Sequence, residues 1–277
     1  NIGFAAGRFP YINRPFGILP RNTTEEILWP IYQRLIFIEA TEIFLRLLRG
    51  ETLSSMSTKN WLIDSSFFKS QDDFQAISKK LNALGLDESQ FNYRKRWQFD
   101  DLTLVPKIDL NSRDYQNLTF TIGSHDPLAR DHALNICDLD IFNLSFTPPD
   151  QIEKIHEEMS LHYLSKNKLW SRNKLPRTVL TFIDRSGQRA RDRASACFDT
   201  YIEAMRGTVA LPSKEHLMAR ALIGDPLQII EQLNHSPDHG FNRDDRLMLW
   251  FEFNQVNCED IIDQMALFAD KVMPFVS

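Results

Sequence analysis

Cysteine is scarce in this sequence. Its 277 residues hold three, Cys137, Cys197 and Cys258, far apart and odd in number. That excludes a disulfide framework and any CxxC metal pair, and a reducing cytoplasm is the expected compartment. A long uncharged apolar run is missing as well. The most apolar stretch, Leu35 to Leu48, is broken by Glu39, Glu42 and Arg46, whereas a membrane span needs about 20 nearly uncharged residues. Nor is there an excess of positive charge. A net charge of −5 and a pI near 5.8 disfavour nucleic acid and anionic membranes as partners, because both repel a net anion. The chain opens on Asn1 with no initiator Met, no basic leader and no cleavage site, from which a missing upstream part is expected. What is present, 43 % hydrophobic and 25 % charged residues, is the composition of an ordinary globular protein of one α/β domain.

Residue periodicity supplies the elements. Ile2 to Ala6 reads as a short buried strand, followed by a loop punctuated by Pro and Gly from Phe9 to Pro20. Thr24 opens a long helix whose first turn carries Glu25 and Glu26, where the helix macrodipole favours acid, and Gly50 stops it. Gln71 to Leu84 has Phe74, Ile77, Leu81 and Leu84 at helical spacing, and Gly85 follows. Phe99 to Pro106 alternates as a short strand. After this irregular region the rhythm settles: strand Leu118 to Ile122, helix Pro127 to Ile136, strand Leu139 to Phe146, helix Asp150 to Ser165, strand Thr178 to Ile183, helix Gln188 to Met205. Asp225-Pro226-Leu227-Gln228 is a capped helix start, with Asp at the N-cap, Pro in the first turn and Gln reaching back. Leu247 to Phe253 is the last strand, and Asn257 caps a final helix with Ile261, Ile262, Met265, Phe268 and Val272 on one stripe.

Strands alternating with helices mean a parallel sheet with crossovers. Five strands are read, each followed by a helix. An open doubly wound sheet stops at that number; a closed (β/α)8 barrel would lack about a hundred residues at roughly 30 per unit. Periodicity does not choose between them.

Longer stretches do. Gly3-Phe4-Ala5-Ala6-Gly7-Arg8-Phe9-Pro10-Tyr11 with Pro15-Phe16-Gly17 resembles the segment after the fourth barrel strand in the bacterial luciferase-like, flavin-dependent monooxygenases. Phe99 to Lys107 resembles the strand before that family's fifth barrel strand. Leu222-Ile223-Gly224-Asp225-Pro226 and Leu247-Met248-Leu249-Trp250-Phe251 resemble its final unit, and Leu267-Phe268-Ala269 with Val272-Met273-Pro274 its last helix. The resemblance implies a TIM barrel of the luciferase-like type across residues 1–277, incomplete, with about five βα units, an insertion at about 57–92 outside the barrel wall, and the first three units absent. It predicts strands in sequential neighbour order with open edges at the first strand and at Leu247 to Phe253.

Active sites of such barrels lie at the carboxyl ends of the strands. Arg8 follows the first strand there; its planar donor fork suits a phosphate, and the matching family arginine holds the flavin phosphate. Its alternative is a solvated surface arginine. Gly7 beside it allows close approach, and Tyr11 falls where the family places a cofactor contact, or else packs the loop. Gly123-Ser124-His125 makes the next strand-to-helix turn. Glycine admits close backbone approach, and exposed amides at the following helix start favour an anion; the alternative is a plain N-cap by Ser124 or Asp126, which can coexist with cofactor binding. Trp250 and Glu252 end the last strand, where they line a substrate pocket or, for the Trp, fill the core. No catalytic residue is assigned, because the family's usual histidine belongs to the absent part. His235 and His239 are separated by Pro237 and read as a loop, not a metal pair. The arginines from Arg185 to Arg193, interspersed with Asp192, read as a solvated helix face.

The resemblance implies a monooxygenase that uses reduced FMN, supplied by a separate reductase, and O2 to oxygenate a small organic substrate, working as a homo- or heterodimer in the cytoplasm. Its alternatives are an F420-dependent oxidoreductase of the same fold and a non-catalytic flavin-binding remnant.

Overall fold

The computed structural model describes residues 1–6, 13–86, 91–105, 118–123, 125–207, 212–235 and 239–276. The chain divides into two compact units: Asn1–Ile122 with Asp126–Leu139, and Gly123–His125 with Asp140–Ser277.

The first unit is built on a helix that proline divides. Asn22 caps α1 (Thr23–Ile27), its side chain accepting from the Glu25 amide at 2.9 Å. The single helix expected from Thr24 onward is broken at Leu28, and α2 runs separately over Trp29–Leu48. Pro30 is the reason: it has no N–H to continue the α1 ladder, and its ring fits a first turn best. Leu28, Ile31, Tyr32, Leu35, Ile38, Leu45 and Leu48 are buried at helical spacing. The helix stops at Gly50, φ 79°, a left-handed conformation that glycine adopts without strain. Next, α3 (Gln71–Asn82) is capped by Ser70, with Asp72 and Asp73 in its first turn and Lys79 and Lys80 in its last. Around it the backbone makes isolated antiparallel bridges, Leu53 to Leu102 and Leu62 to Asn92. The strand expected at Phe99 to Pro106 is reduced to that bridge at Leu102; Asp100 and Asp101 are poor strand residues.

Two short strands complete this part. β1 (Ile2–Phe4) pairs in parallel with β2 (Phe120–Gly123), Phe4 opposite Ile122. α4 (Pro127–Leu134) follows, capped by Asp126.

The second unit is an apolar sandwich. It contains β3 (Asp140–Phe142), α5 (Pro149–Ser165), β4 (Arg177–Ile183), α6 (Gly187–Met205), α7 (Lys214–Arg220), β5 (Leu222–Gly224), α8 (Pro226–His235), β6 (Leu247–Trp250) and α9 (Cys258–Lys271). Successive residues of a strand face opposite sides, and β4 buries both. Leu180 and Phe182 cluster with Ala190, Ala194 and Phe198 of α6. Val179 and Ile183 cluster with Ile229 of α8 and Phe268 of α9. Helices therefore cover both faces, which is why β4 reads as a continuous apolar run.

The strands named from the sequence keep their sequential order where they pair, β1 with β2 and β4 with β6, each in parallel; the addition is β5, which lies on the other side of β4 and parallel to it. Right-handed crossovers on opposite faces step in opposite directions; α6 carries the chain to one side of β4, and α8 carries it back past β4 to the other. Two elements lie beyond the sequence expectation: β5, which leads into α8, and α7, capped by Ser213. The strands are parallel and the class is α/β, as expected. At the amino ends of β4 and β6, Arg172 and Arg177 both meet Asp245, at 2.5 and 3.5 Å. Among the described residues, no helix is long and apolar enough to cross a membrane.

Candidate cofactor site

Parallel pairing with Phe4 opposite Ile122 sends the chain out of β1 and β2 at the same end of the sheet. The segment holding Gly7, Arg8 and Tyr11 follows the first, and the Gly123-Ser124-His125 turn follows the second. Gly7, Arg8, Tyr11 and Ser124 lie outside the described residues.

Gly123 ends β2, and the exposed His125 folds back over it. A Cβ built on Gly123 would fall 2.6 Å from His125 Cε1 and 2.8 Å from Nδ1. Only glycine leaves room for that approach.

The helix start after the turn is a different matter. The Asp126 carboxylate accepts from the Ala129 amide at 3.1 Å, and Arg34 of α2 grips both its oxygens, Nε at 2.8 and 2.9 Å and Nη2 at 2.6 Å. The amino end of α4 is thus already served by a carboxylate, which opposes a second anion there. Of the two N-cap alternatives, Asp126 holds the position.

Trp250 and Glu252 stand on the outward alternation of β6 and just beyond it. Trp250 is 41 % exposed, and its ring meets Phe253 edge-on at 5.4 Å. Glu252 is exposed. Trp250 is therefore not core filler. His239 is buried, with Nε2 3.1 Å from the Ala221 carbonyl, a structural role.

The sequence reading missed a buried polar cluster on α2. Glu39 is 4 % exposed and Glu42 5 %. Glu39 Oε2 accepts from the Tyr93 hydroxyl at 2.6 Å and the Arg96 amide at 2.9 Å. Glu42 accepts from Arg46 at 2.9 Å and from the Lys59 amide, and lies 2.9 Å from His132 Nε2. Burial pushes the Glu42 carboxyl up, but the His132, Lys59 and Arg46 hydrogen bonds outweigh it and hold the group below its ordinary range. Burial and Glu39 together push the Tyr93 hydroxyl far up. Lys95 donates to the carbonyls of Ser55 and Thr58. The available signal was carboxylates interrupting an apolar stripe at helical spacing.

No family model and no curated protein matches the sequence. Among solved structures, monooxygenase RslO1 from Streptomyces bottropensis matches with a TM-score of 0.65 at 15 % identity, covering 100 % of this chain and 69 % of its own. The chain has the luciferase-like fold. Two fainter likenesses lie below a TM-score of 0.5 and carry no weight. One is the oxygenating constituent of 3,6-diketocamphane monooxygenase from Pseudomonas putida, in complex with FMN, at TM-score 0.48 and 13 % identity over 99 % of this chain and 70 % of that one. The other is the coenzyme F420 dependent tetrahydromethanopterin reductase of Methanopyrus kandleri, at 0.42 and 13 % over 63 % and 56 %. Within the luciferase-like fold, carboxyl strand ends are the site-bearing ends, and the Gly123 turn stands at one of them.

Proposed function

We propose that the chain acts as a flavin-dependent monooxygenase on a small organic substrate, a single luciferase-like domain with an insertion at about 57–92. The supporting observation is that a monooxygenase fold overlays the whole chain at a TM-score of 0.65. When bound, reduced FMN supplies the reaction with O2. The protein's part is to hold the flavin by its phosphate through Arg8, with Gly7 beside it, and the Gly123-Ser124-His125 turn, with Tyr11 as a further cofactor contact. Trp250 and Glu252 offer the substrate an aromatic face and an acceptor. Reduced flavin arrives from a separate reductase, and the working form is a homo- or heterodimer in the cytoplasm.

Fluorescence-quenching titration of the full chain with FMN, riboflavin and F420 tests this. FMN is expected to bind more tightly than riboflavin, since only FMN carries the phosphate. Arg8→Ala should weaken FMN roughly ten- to a hundredfold, the range of a charge-assisted hydrogen bond, and leave riboflavin nearly unchanged. Arg8→Lys should recover part of the loss, keeping the charge without the fork. Equal losses for FMN and riboflavin would remove the phosphate role. Binding of F420 in preference to FMN would move the chain to the F420-dependent alternative, and FMN binding without oxygen consumption would mark a flavin-binding remnant.

A further inference from the structure

The second unit holds a cavity that the flavin reading does not use. It measures about 1060 Å³ and opens at the carboxyl end of β4, between the first turns of α6 and α8 and the flank of α9. Register explains its position. Ile183 of β4 lies opposite Gly224 of β5, so the helices that follow both strands begin side by side. A strand order in which neighbours lie on both sides of β4 leaves a crevice at this end, the usual place for a ligand in an open α/β sheet.

The lining has two characters. At the strand end stand Arg185, Arg189 and Arg193, the last two one turn apart on α6 and so on one face. Asp184 takes Arg189 at 2.9 and 2.6 Å and Arg193 at 3.4 Å. Arg185 is exposed and makes no ion pair among the described residues, which leaves its guanidinium open to a ligand. The opposite wall is apolar, formed by Leu227, Ile230, Leu267 and Phe275, of which Leu227 is 78 % and Phe275 65 % exposed. Asp260 and Asp263 stand in the first turns of α9, beside Gln264, which accepts from the Ile183 amide at 3.4 Å, and the Asp270–Lys271 pair stands at the helix's far end; all four are exposed, where solvent screens them. The arginines that read as a solvated helix face in the sequence thus line a crevice that has an apolar wall opposite them.

We propose that this cavity binds an organic anion, with an apolar body against the α8–α9 wall and a carboxylate or phosphate on Arg185 beside the Arg189–Asp184–Arg193 cluster. An unpaired guanidinium is the group best suited to such an end, and the volume suits a small ligand with two or three rings. The proposal does not depend on flavin binding.

The test is isothermal titration calorimetry of the full chain with 2-naphthoate, 2-naphthyl phosphate, 2-naphthylmethanol, 2-naphthylmethylammonium and inorganic phosphate. Both anionic naphthalenes should bind, and whichever is tighter distinguishes a carboxylate ligand from a phosphate one. The neutral alcohol should bind roughly ten- to a hundredfold more weakly, and Arg185→Gln should weaken the anions by a similar factor while leaving the alcohol unchanged. Leu227→Ser should weaken anions and alcohol alike. Arg185 makes no ion pair among the described residues, so its replacement should leave the circular dichroism spectrum intact. Preference for the ammonium compound, equal binding of alcohol and anions, an unchanged Arg185→Gln, or no binding of either anionic naphthalene would each overturn the proposal.

Discussion

The two units solve the same problem with different chemistry. In the first, α2 carries buried carboxylates, and Glu39 and Glu42 draw Tyr93, the Arg96 and Lys59 amides and His132 onto one helix. In the second, β4 presents apolar side chains to helices on both faces, with Phe182 and Ile183 fully buried in opposite directions. Buried charge contributes little net stability, because desolvation offsets most of its attraction, but it penalises every arrangement that leaves the charge unpaired. Apolar burial stabilises in proportion to area and is less particular about partners. The irregular segments of the first unit, bridged at isolated points, thus add polar contacts to buried Leu53, Ile63 and Leu81, whereas the regular elements of the second rest chiefly on packing.

Substitutions should separate the two. The largest effect is expected at Phe182→Ala, which empties a fully buried site between β4 and α6. Removal of a buried aromatic costs about 3–5 kcal/mol, readable as a drop in the urea midpoint with little change in slope. A loss below about 1 kcal/mol would mean the sandwich packs far more loosely than its burial shows.

Glu42→Gln should cost less, about 1–3 kcal/mol near neutral pH, the range for leaving buried partners of a charge unsatisfied. Its pH dependence carries the sharper signal. The folded Glu42 carboxyl titrates below its ordinary value of 4.5, so its stabilisation is complete above that value and fades as pH falls through the lower folded one. The gap between wild type and Glu42→Gln in denaturant melts should therefore be widest near neutrality and close on acidification. A gap that widens toward low pH would contradict the sign. Phe182→Ala, which removes no titrating group, should show a constant gap over the same range.

Gly123→Ala should have the smallest effect on stability, below about 0.5 kcal/mol. The added methyl would meet the His125 ring, the end of an exposed side chain that can swing aside. The consequence belongs to binding: thermal melts should hardly move while FMN affinity falls. A melt lowered by several degrees would make Gly123 a packing residue.

Helix positions were legible in the sequence because their signals are local. Ser70, Asp126, Asp225 and Asn257 each accept from an amide two or three residues on, and a cap is recognisable within a few residues of itself. The glycine-bearing turn after β2 was legible for the same reason, as was the parallel α/β class, which follows from strands alternating with helices. The additional strand β5 was not. Leu222-Ile223-Gly224 is three residues long, and its place beside β4 depends on which face α6 covers, a choice made by side chains forty residues apart in the chain. The site divides along the same line. That Asp126 could cap α4 was visible in the turn itself, but its hold there depends on Arg34, 92 residues away, and the arginines after β4 face a cavity only because α8 and α9 stand across from them. Local hydrogen bonds and periodicity are written in neighbouring residues; partners brought together by folding are decided by the tertiary structure, because only the folded chain settles which faces are left to pair.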